Sequence, residues 1–257
     1  MKRFSCVVIT GASSGIGAAL SSLMARRTKH LVLIARRAEK LQSLAQDLRP
    51  FCKVTVLVAD LSIPEQVAEL CDKMDELHIE PTVLVNNAGF GLHGDFSQTD
   101  LVAEQQMINV NIHAVTTLTK WAVQSFKLNK VPGTVLNTAS IGSYTPGPGM
   151  AVYFATKAFV LSFSEALHQE LDKYGISVLA LCPGYVKSEF HSIAGTNRAG
   201  IMNMLVKKSS HDMARTALWQ IQNEIPVIVP GFINKLIVFV VRFLPRSRVR
   251  KLAEKFL

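Results

Sequence analysis

Tyr153 and Lys157 stand four residues apart in the segment YFATK, Ser140 precedes the tyrosine by thirteen residues, and residues 10–17 read TGASSGIG. In a helix, residues at i and i+4 lie on one face, so this spacing sets a phenol beside an ammonium group. A neighbouring positive charge favours phenolate and lowers the tyrosine pKa from its reference of about 10. A tyrosine tuned in this way acts as a general acid or base near neutral pH. Pairs of the form Tyr-x-x-x-Lys also arise on ordinary amphipathic helices, so their meaning depends on the elements that position them.

The glycine segment belongs to such an element. Phe4 to Ile9 is a short apolar, β-branched run, and Ile16 to Arg27 alternates apolar and polar residues with helical spacing. The glycines therefore fall on a strand-to-helix turn. Gly11 allows the tight turn, Gly15 lets backbone approach a pyrophosphate, and Gly17 permits close helix packing. The helix amino terminus adds unpaired N–H donors and a partial positive charge. The spacing is G-x-x-x-G-x-G rather than G-x-G-x-x-G, and a glycine turn of this kind also serves purely steric ends in many α/β proteins.

The frame that carries these residues follows from composition. With 257 residues, 49% apolar and 18% charged, the chain suits one large α/β domain spanning 1–257. Apolar strands alternating with helical segments imply a parallel sheet covered on both faces. The first apolar run is already the first strand, which leaves no room for a secretory signal and points to a cytoplasmic start. Cys6, Cys52, Cys71 and Cys182 are scattered without a C-x-x-C pair, so neither a disulfide framework nor a metal site is suggested.

Six segments together resemble the short-chain dehydrogenase/reductase family, from Lys2 to about Ser188. They are TGASSGIG at 10–17, Asp60-Leu61 after the third strand, NNAG at 86–89, Asn111 in NVN, Ser140 with YFATK, and Pro183-Gly184. The resemblance implies a doubly wound α/β fold, a Rossmann fold with seven parallel strands in the order 3-2-1-4-5-6-7. It implies that Tyr153 protonates a carbonyl oxygen as hydride arrives from a nicotinamide, that Ser140 hydrogen-bonds the same oxygen, and that Lys157 also holds the ribose hydroxyls. Asn111, in a helical stretch from Met107 to Lys120, would hold a water that links Lys157 to solvent. The alternative for Asn111 is an ordinary helix-to-strand hydrogen bond.

By the same resemblance the cofactor contacts come from Gly11, Ser13, Ser14, Gly15, Ile16 and Gly17, then Asp60 and Leu61, then Asn87, Ala88 and Gly89. Tyr153, Lys157, Pro183, Gly184, Val186 and Ser188 complete the set. Asn86 and Asn87 would mainly stabilise the central sheet, and Gly89 would let the adenosine ribose approach. Asp60 would accept from the adenine amino group, or else cap the helix that begins near Pro64. Pro183 to Val186 would face the nicotinamide carboxamide, with Ser188 where the family usually has threonine.

The end of the second strand, His30 to Ala35, meets the 2′ position of the adenosine ribose in this fold. An acidic residue there would favour NAD. This chain has Ala35 followed by Arg36 and Arg37, which removes a repulsive carboxylate and supplies two guanidinium forks for a 2′-phosphate. The expected cofactor is NADP(H), unless both arginines are merely solvated loop residues.

The net charge of +9 is concentrated in the carboxyl-terminal segment. Residues 232–257 carry seven Lys or Arg and one Glu, a local +6 that leaves +3 for the remainder. The segment reads as an apolar stretch interrupted by Lys235 and Arg242, which share a helical face, then Pro245 and a basic amphipathic stretch. Charges interrupt it well before the roughly 20 residues a spanning helix needs. Either it packs on the protein or a sister subunit with its charges solvated, or it makes peripheral contact with an anionic membrane at the inner surface. Nucleic acid is not an expected partner, because no zinc-finger spacing, stacking motif or recognition helix is present.

The substrate expected is a small-molecule carbonyl or alcohol. Phe190, Ile193, Ile201, Met202, Met204 and Leu205 make the stretch 189–215 an apolar lid, with Gly195 and Gly200 permitting motion, which favours a lipophilic molecule over a polar sugar. A 3-oxoacyl-thioester reductase and a non-catalytic NADP(H)-binding regulator are the alternatives. By analogy with relatives, a homodimer or homotetramer would pair through helices spanning about 101–128 and 150–174. The carboxyl-terminal pattern resembles a bacterial branch of the family whose substrates are often unassigned.

Overall fold

The computed structural model describes residues 3–187, 189 and 208–256. Its centre is a set of β-branched and leucine-rich runs too apolar to leave either face in water. These form strands β1 (Phe4–Thr10), β2 (Thr28–Ala35), β3 (Lys53–Val58), β4 (Val83–Asn86), β5 (Gly133–Thr138) and β6 (Ile176–Leu181). A pair of two-residue strands, β7 (Val186–Lys187) and β8 (Lys208–Ser209), forms a separate parallel ribbon, and β9 (Val227–Ile228) closes the main sheet. The order is β3-β2-β1-β4-β5-β6-β9, with every pairing parallel. This is the expected doubly wound sheet of seven strands, its last strand being the ninth in chain order.

Helices cover both faces, and the period of two along each strand divides the core between them. Val7, Ile9, Leu31 and Leu33 point to α1 (Gly15–Ala25), α2 (Ala38–Leu48) and α7 (Ser210–Asn223), packing with Leu20, Met24, Leu41 and Ile221. Cys6, Val8, Val32 and Ile34 point the other way, to α3 (Pro64–Glu76) and α5 (Val115–Leu128), packing with Val67, Leu70 and Leu118. α4 (Leu101–Ile108) leads into α5, and α6 (Ala151–Leu171) lies over β5 and β6 through Val160 and Leu161.

The stretch from Met107 to Lys120, expected as continuous helix, is interrupted. Residues Asn109–Ala114 adopt π-helical geometry between α4 and α5. A π-turn widens the helix locally and shifts the backbone hydrogen-bond register, and it falls on the turn that carries Asn111.

Beyond the sheet, Phe232–Val241 forms α8 and Arg246–Phe256 forms α9. Asn234 and Val238 on α8 and Val249 on α9 are buried against the body, so one side of the basic segment packs on the protein. The other side of α8 is exposed and apolar. No helix among the described residues is long and apolar enough to cross a membrane.

Candidate active site

Among the described residues, the glycine turn, Asp60, Asn87, Ser140 and Pro183 follow the carboxyl ends of strands, and Tyr153 and Lys157 lie on the helix that crosses those ends. There the crossovers of a doubly wound sheet diverge and leave a crevice. The crevice is a cleft of about 1220 Å³ running from Gly11, Ser13 and Ser14 to Ser140, Tyr153 and Lys157. Arg36, Arg37, Asp60 and Leu61 line one end, and Pro183, Gly184 and Val186 lie on the wall toward the other.

The glycine turn has the form that a phosphate group requires. Gly11 and Gly15 adopt φ values of +64° and +57°, which other residues rarely tolerate. A Cβ at Gly17 would run into the Gly11 carbonyl, and one at Gly11 would meet the Ala88 backbone at 2.9 Å. Ser14 at the N-cap of α1 makes no side-chain capping bond, which leaves the first amides of the helix available to an anion. The turn is braced by Asn87, whose Nδ2 donates to the carbonyls of Thr10 and Gly11 at 3.1 and 3.3 Å. Asn86 donates to Thr119 and Asn137 at 3.0 and 2.9 Å, the sheet-bracing part expected of it. These residues fit a dinucleotide pyrophosphate.

The two arginines do different things. Arg37 reaches into the glycine turn, donating to Ser13 Oγ at 3.0 and 3.1 Å and to Ser14 Oγ at 2.7 Å. It also pairs with Glu189 at 2.7 Å, and Lys40 pairs with the other oxygen of that carboxylate at 2.8 Å. Those two hydrogen bonds hold the Glu189 carboxyl down at about 2. Lys40 escaped the sequence reading, although its place three residues after Arg37 on a helix is the spacing that brings two side chains to one face. Arg36 is more exposed and leans toward Asp60 at 3.5 Å.

Asp60 itself neither caps the helix after it nor stands free. Its Oδ1 accepts from the amide and hydroxyl of Ser62 at 2.9 and 2.7 Å, while Ile63 occupies the N-cap of α3. Partial burial acts to raise its pKa, but the Ser62 bonds and the Arg36 guanidinium outweigh that and hold the carboxyl below its ordinary value.

At the far end of the cleft, Tyr153 and Lys157 share one face of α6 as their spacing predicts, with Lys157 Nζ 5.9 Å from the phenol ring centroid. Ser140 hydrogen-bonds the Tyr153 phenol. The turn that carries Ser140 (Ile141–Tyr144) is fixed at both ends, since Gly142 N donates to Ser140 Oγ at 3.0 Å and Ser143 Oγ donates to the Lys157 carbonyl at 2.7 Å. The expected lowering of the tyrosine pKa by the lysine is not what this arrangement gives. Burial pushes the Tyr153 phenol up to about 12, with the Ser140 bond offsetting part of the rise. Burial likewise pushes the Lys157 ammonium down to about 8. Nζ donates to the Thr138 carbonyl at 2.7 Å, and desolvation is the largest cause of the shift in both groups.

Asn111 is fully buried. Its Nδ2 donates to the Phe90 carbonyl at 3.1 Å and to Thr156 Oγ1 at 3.0 Å, and its Oδ1 accepts from Phe90 N at 3.3 Å. Thr156 in turn donates to the Tyr153 carbonyl at 2.7 Å. The side chain thus clamps the loop after β4 to α6, and makes no bond to a strand among the described residues. Gly89 serves the same clamp, since a Cβ there would meet Asn111 Oδ1 at 2.9 Å and Lys157 Nζ at 3.3 Å. Its internal packing is by itself a reason for the absent side chain.

Gly184 also has an internal reason. A Cβ there would meet Asn234 Nδ2 at 2.5 Å. Asn234, held by donating to the Pro230 carbonyl at 2.7 Å, is buried against Gly184, and this contact sets α8 on the cleft wall. Ile233, Ile237, Val240 and Val241 of α8 and Leu252 of α9 line the cleft with Phe90, Met150 and Phe154. None of these roof residues was singled out from sequence, because their helical pattern shows an apolar face but not what it covers. Ser188 and the lid residues Phe190, Ile193, Gly195, Gly200, Ile201, Met202, Met204 and Leu205 lie outside the described residues.

Known proteins are similar to this chain in sequence and fold. An uncharacterized oxidoreductase of Staphylococcus saprophyticus is 33% identical over 217 residues, 84% of this chain and 90% of that protein. A short-chain dehydrogenase from Sphingobium yanoikuyae, solved in complex with NADPH, superposes with a TM-score of 0.81 at 30% identity, covering 95% of this chain and 97% of that one. The bulky-bulky ketone specific alcohol dehydrogenase from Comamonas testosteroni superposes at 0.77 with 28% identity, covering 95% and 96%. The family model for short chain dehydrogenases matches residues 5–199, and with the sheet order and the cleft described above the chain belongs to that oxidoreductase family.

Proposed function

We propose that this protein is an NADP(H)-dependent reductase that interconverts a lipophilic ketone or aldehyde with its alcohol. The observation that carries the reading is the convergence of Ser140, Tyr153 and Lys157 at one end of a cleft whose other end is the glycine turn. Bound reduced nicotinamide would supply hydride to the carbonyl carbon. Tyr153 gives its phenolic proton to the substrate oxygen, and Ser140 hydrogen-bonds the same oxygen as negative charge develops there. Lys157 holds the ribose hydroxyls and stabilises the phenolate left once the proton has gone. The π-turn at Asn111 supports a water relay from the backbone beside the clamp, which restores the proton.

Gly11, Ser13, Ser14, Gly15, Ile16 and Gly17 would hold the pyrophosphate, and Asp60, Leu61, Asn87, Ala88 and Gly89 the adenosine side. Pro183, Gly184, Val186 and Ser188 would hold the nicotinamide side. Arg37 supports NADP(H) over NAD(H), because its fork lies at the glycine turn and is balanced by a carboxylate that a 2′-phosphate would replace. The Sphingobium relative was solved with NADPH. The apolar roof from α8 and α9 supports a lipophilic substrate, and the Comamonas relative is described as specific for bulky ketones. Of the expected lid 189–215, residues 190–207 lie outside the described residues, and 210–215 open α7, where Met213 and Ala214 are buried in the core.

Exposed Leu128 on α5 and Phe159 on α6 support pairing through those helices as a homodimer or homotetramer, which light scattering reads directly. The function is tested by NADPH oxidation against a panel of aliphatic and steroidal ketones and small polar aldehydes. Turnover of the apolar members with a clear preference over NADH is expected. A protein that binds NADPH and turns over none of the panel would remove the enzymatic reading.

A further inference from the structure

The helices that roof the cleft also present an apolar stripe to the outside. Phe232, Leu236, Phe239 and Phe243 follow one another at helical spacing, so they share a face of α8 and its extension. They are 81%, 50%, 60% and 73% exposed. The rings of Phe239 and Phe243 meet edge to face with centroids 5.0 Å apart, so the stripe is continuous at that end. Asn234 and Val238 on the opposite face are buried, which fixes the orientation of the stripe relative to the body. Contiguous exposed apolar surface of this kind marks an interaction surface.

What flanks the stripe identifies its partner. Lys235 and Arg242 are seven residues apart and run along one edge of it, both exposed. On α9, Arg246, Arg248, Arg250 and Lys251 are exposed and Glu254 is the one described acid. Along the other edge, Leu236 and Val240 are exposed and yet line the cleft, so the stripe is continuous with the wall of the site. A second copy of the same surface would bring two strongly positive segments together. An anionic headgroup layer over an apolar interior matches both the phenylalanines and the cations. α8 is ten residues long, about half of what a spanning helix needs, so its place is in the plane of the interface.

We propose that α8 and α9 dock this protein on an anionic lipid bilayer, with Phe232, Phe239 and Phe243 entering the headgroup boundary and the mouth of the cleft facing the lipid. Docking stands apart from the reductase assignment. Delivery of a bilayer-dissolved substrate to the cleft rests on that assignment, so the test reads docking without turnover.

The full chain is sedimented with vesicles of phosphatidylcholine alone or mixed with phosphatidylserine. The wild-type protein is expected to pellet with the mixed vesicles and at least tenfold less with the neutral ones, since each basic residue near the surface contributes about fivefold. Raising the salt concentration is expected to release it. Phe232→Ser/Phe239→Ser/Phe243→Ser, with an unchanged circular dichroism spectrum, is expected to lose binding by at least tenfold. In case that variant does not fold, Phe239→Trp provides a second reading, because its added indole emission should be quenched by vesicles carrying brominated acyl chains. Equal soluble fractions with and without mixed vesicles would overturn the proposal. So would an added emission in the Phe239→Trp variant that brominated vesicles leave unquenched, or a triple variant whose only change is a halved particle mass, which would assign the stripe to a subunit interface.

Discussion

Lys157 Nζ donates to the Thr138 carbonyl at 2.7 Å, so the buried ammonium is tied to the end of β5 as well as facing the phenol four residues before it. One hydrogen bond does not restore the hydration lost on burial, and the Lys157 pKa falls from 10.5 to about 8. A depressed lysine pKa means that the folded chain gives up a proton that the unfolded chain keeps. Between about pH 8 and pH 10 the unfolded state therefore binds more protons, and stability rises with pH. Above pH 10 the raised phenol of Tyr153 works the other way, since the folded state then keeps the proton that the unfolded tyrosine loses. Lys157→Met should remove the rise. Denaturant titrations at pH 8 and pH 10 should show the wild type gaining about 2 kcal/mol relative to the variant, and parallel behaviour of the two proteins would contradict the buried-charge account.

Tyr153→Phe removes the proposed acid and keeps the ring that packs edge to face on Phe154. Its expected effect is on chemistry rather than on folding. A fall in kcat of about 10²- to 10⁴-fold is the range for losing a positioned general acid, with NADPH dissociation measured by fluorescence changing little. Ser140→Ala should reduce kcat less, because one donor to the developing oxyanion is lost while the proton source remains. Near-parental turnover by the tyrosine variant would remove the assignment.

Arg37, Lys40 and Glu189 form a charge cluster at the end of the cleft where a 2′-phosphate would lie. Glu189 is half exposed, so its pairs are screened and can exchange for a better anion. Arg37→Ala should raise the Michaelis constant for NADPH by about 10- to 100-fold and leave that for NADH nearly unchanged. Arg36→Ala should have a smaller effect, because that side chain is largely solvated and directed at Asp60. Glu189→Gln should tighten NADPH a few-fold by removing the competing carboxylate. Identical effects of the two arginine variants would show that sequence adjacency, rather than the contact of Arg37 with Ser13 and Ser14, decides the preference.

The sheet was legible because its strands are apolar runs separated by helical periodicity, while its strand order was implied by the family resemblance. Tyr153, Lys157 and the glycine turn were legible because their function requires fixed local spacing. Other features depend on distant contacts. The π-turn at Asn111 arises where α4 and α5 meet the loop after β4, and nothing in NVN announces it. The direction of the Tyr153 shift required knowing that both members of the pair are desolvated, a property of packing rather than of spacing. The packing of Asn111 and Lys157 against Gly89, and of Asn234 against Gly184, was not legible either, because it joins residues far apart in the sequence.

Gly184 lets the roof sit on the cleft. A methyl group there would approach Asn234 Nδ2 to 2.5 Å and its Cγ to 2.9 Å, and Asn234 cannot swing aside while it donates to the Pro230 carbonyl. The amino-terminal turn of α8 would have to move instead, carrying Ile233 and Ile237 away from the cleft. Gly184→Ala should cost about 1 to 3 kcal/mol, the range for overpacking a filled site, and should raise the Michaelis constant for apolar ketones more than for small aldehydes. Adding Asn234→Ala should recover part of the stability, since it clears the clash while leaving one carbonyl unpaired. Thermal melting of the two variants beside the wild type checks the coupling. Strictly additive losses would mean that the two residues do not meet, and that α8 is seated on the cleft by some other contact.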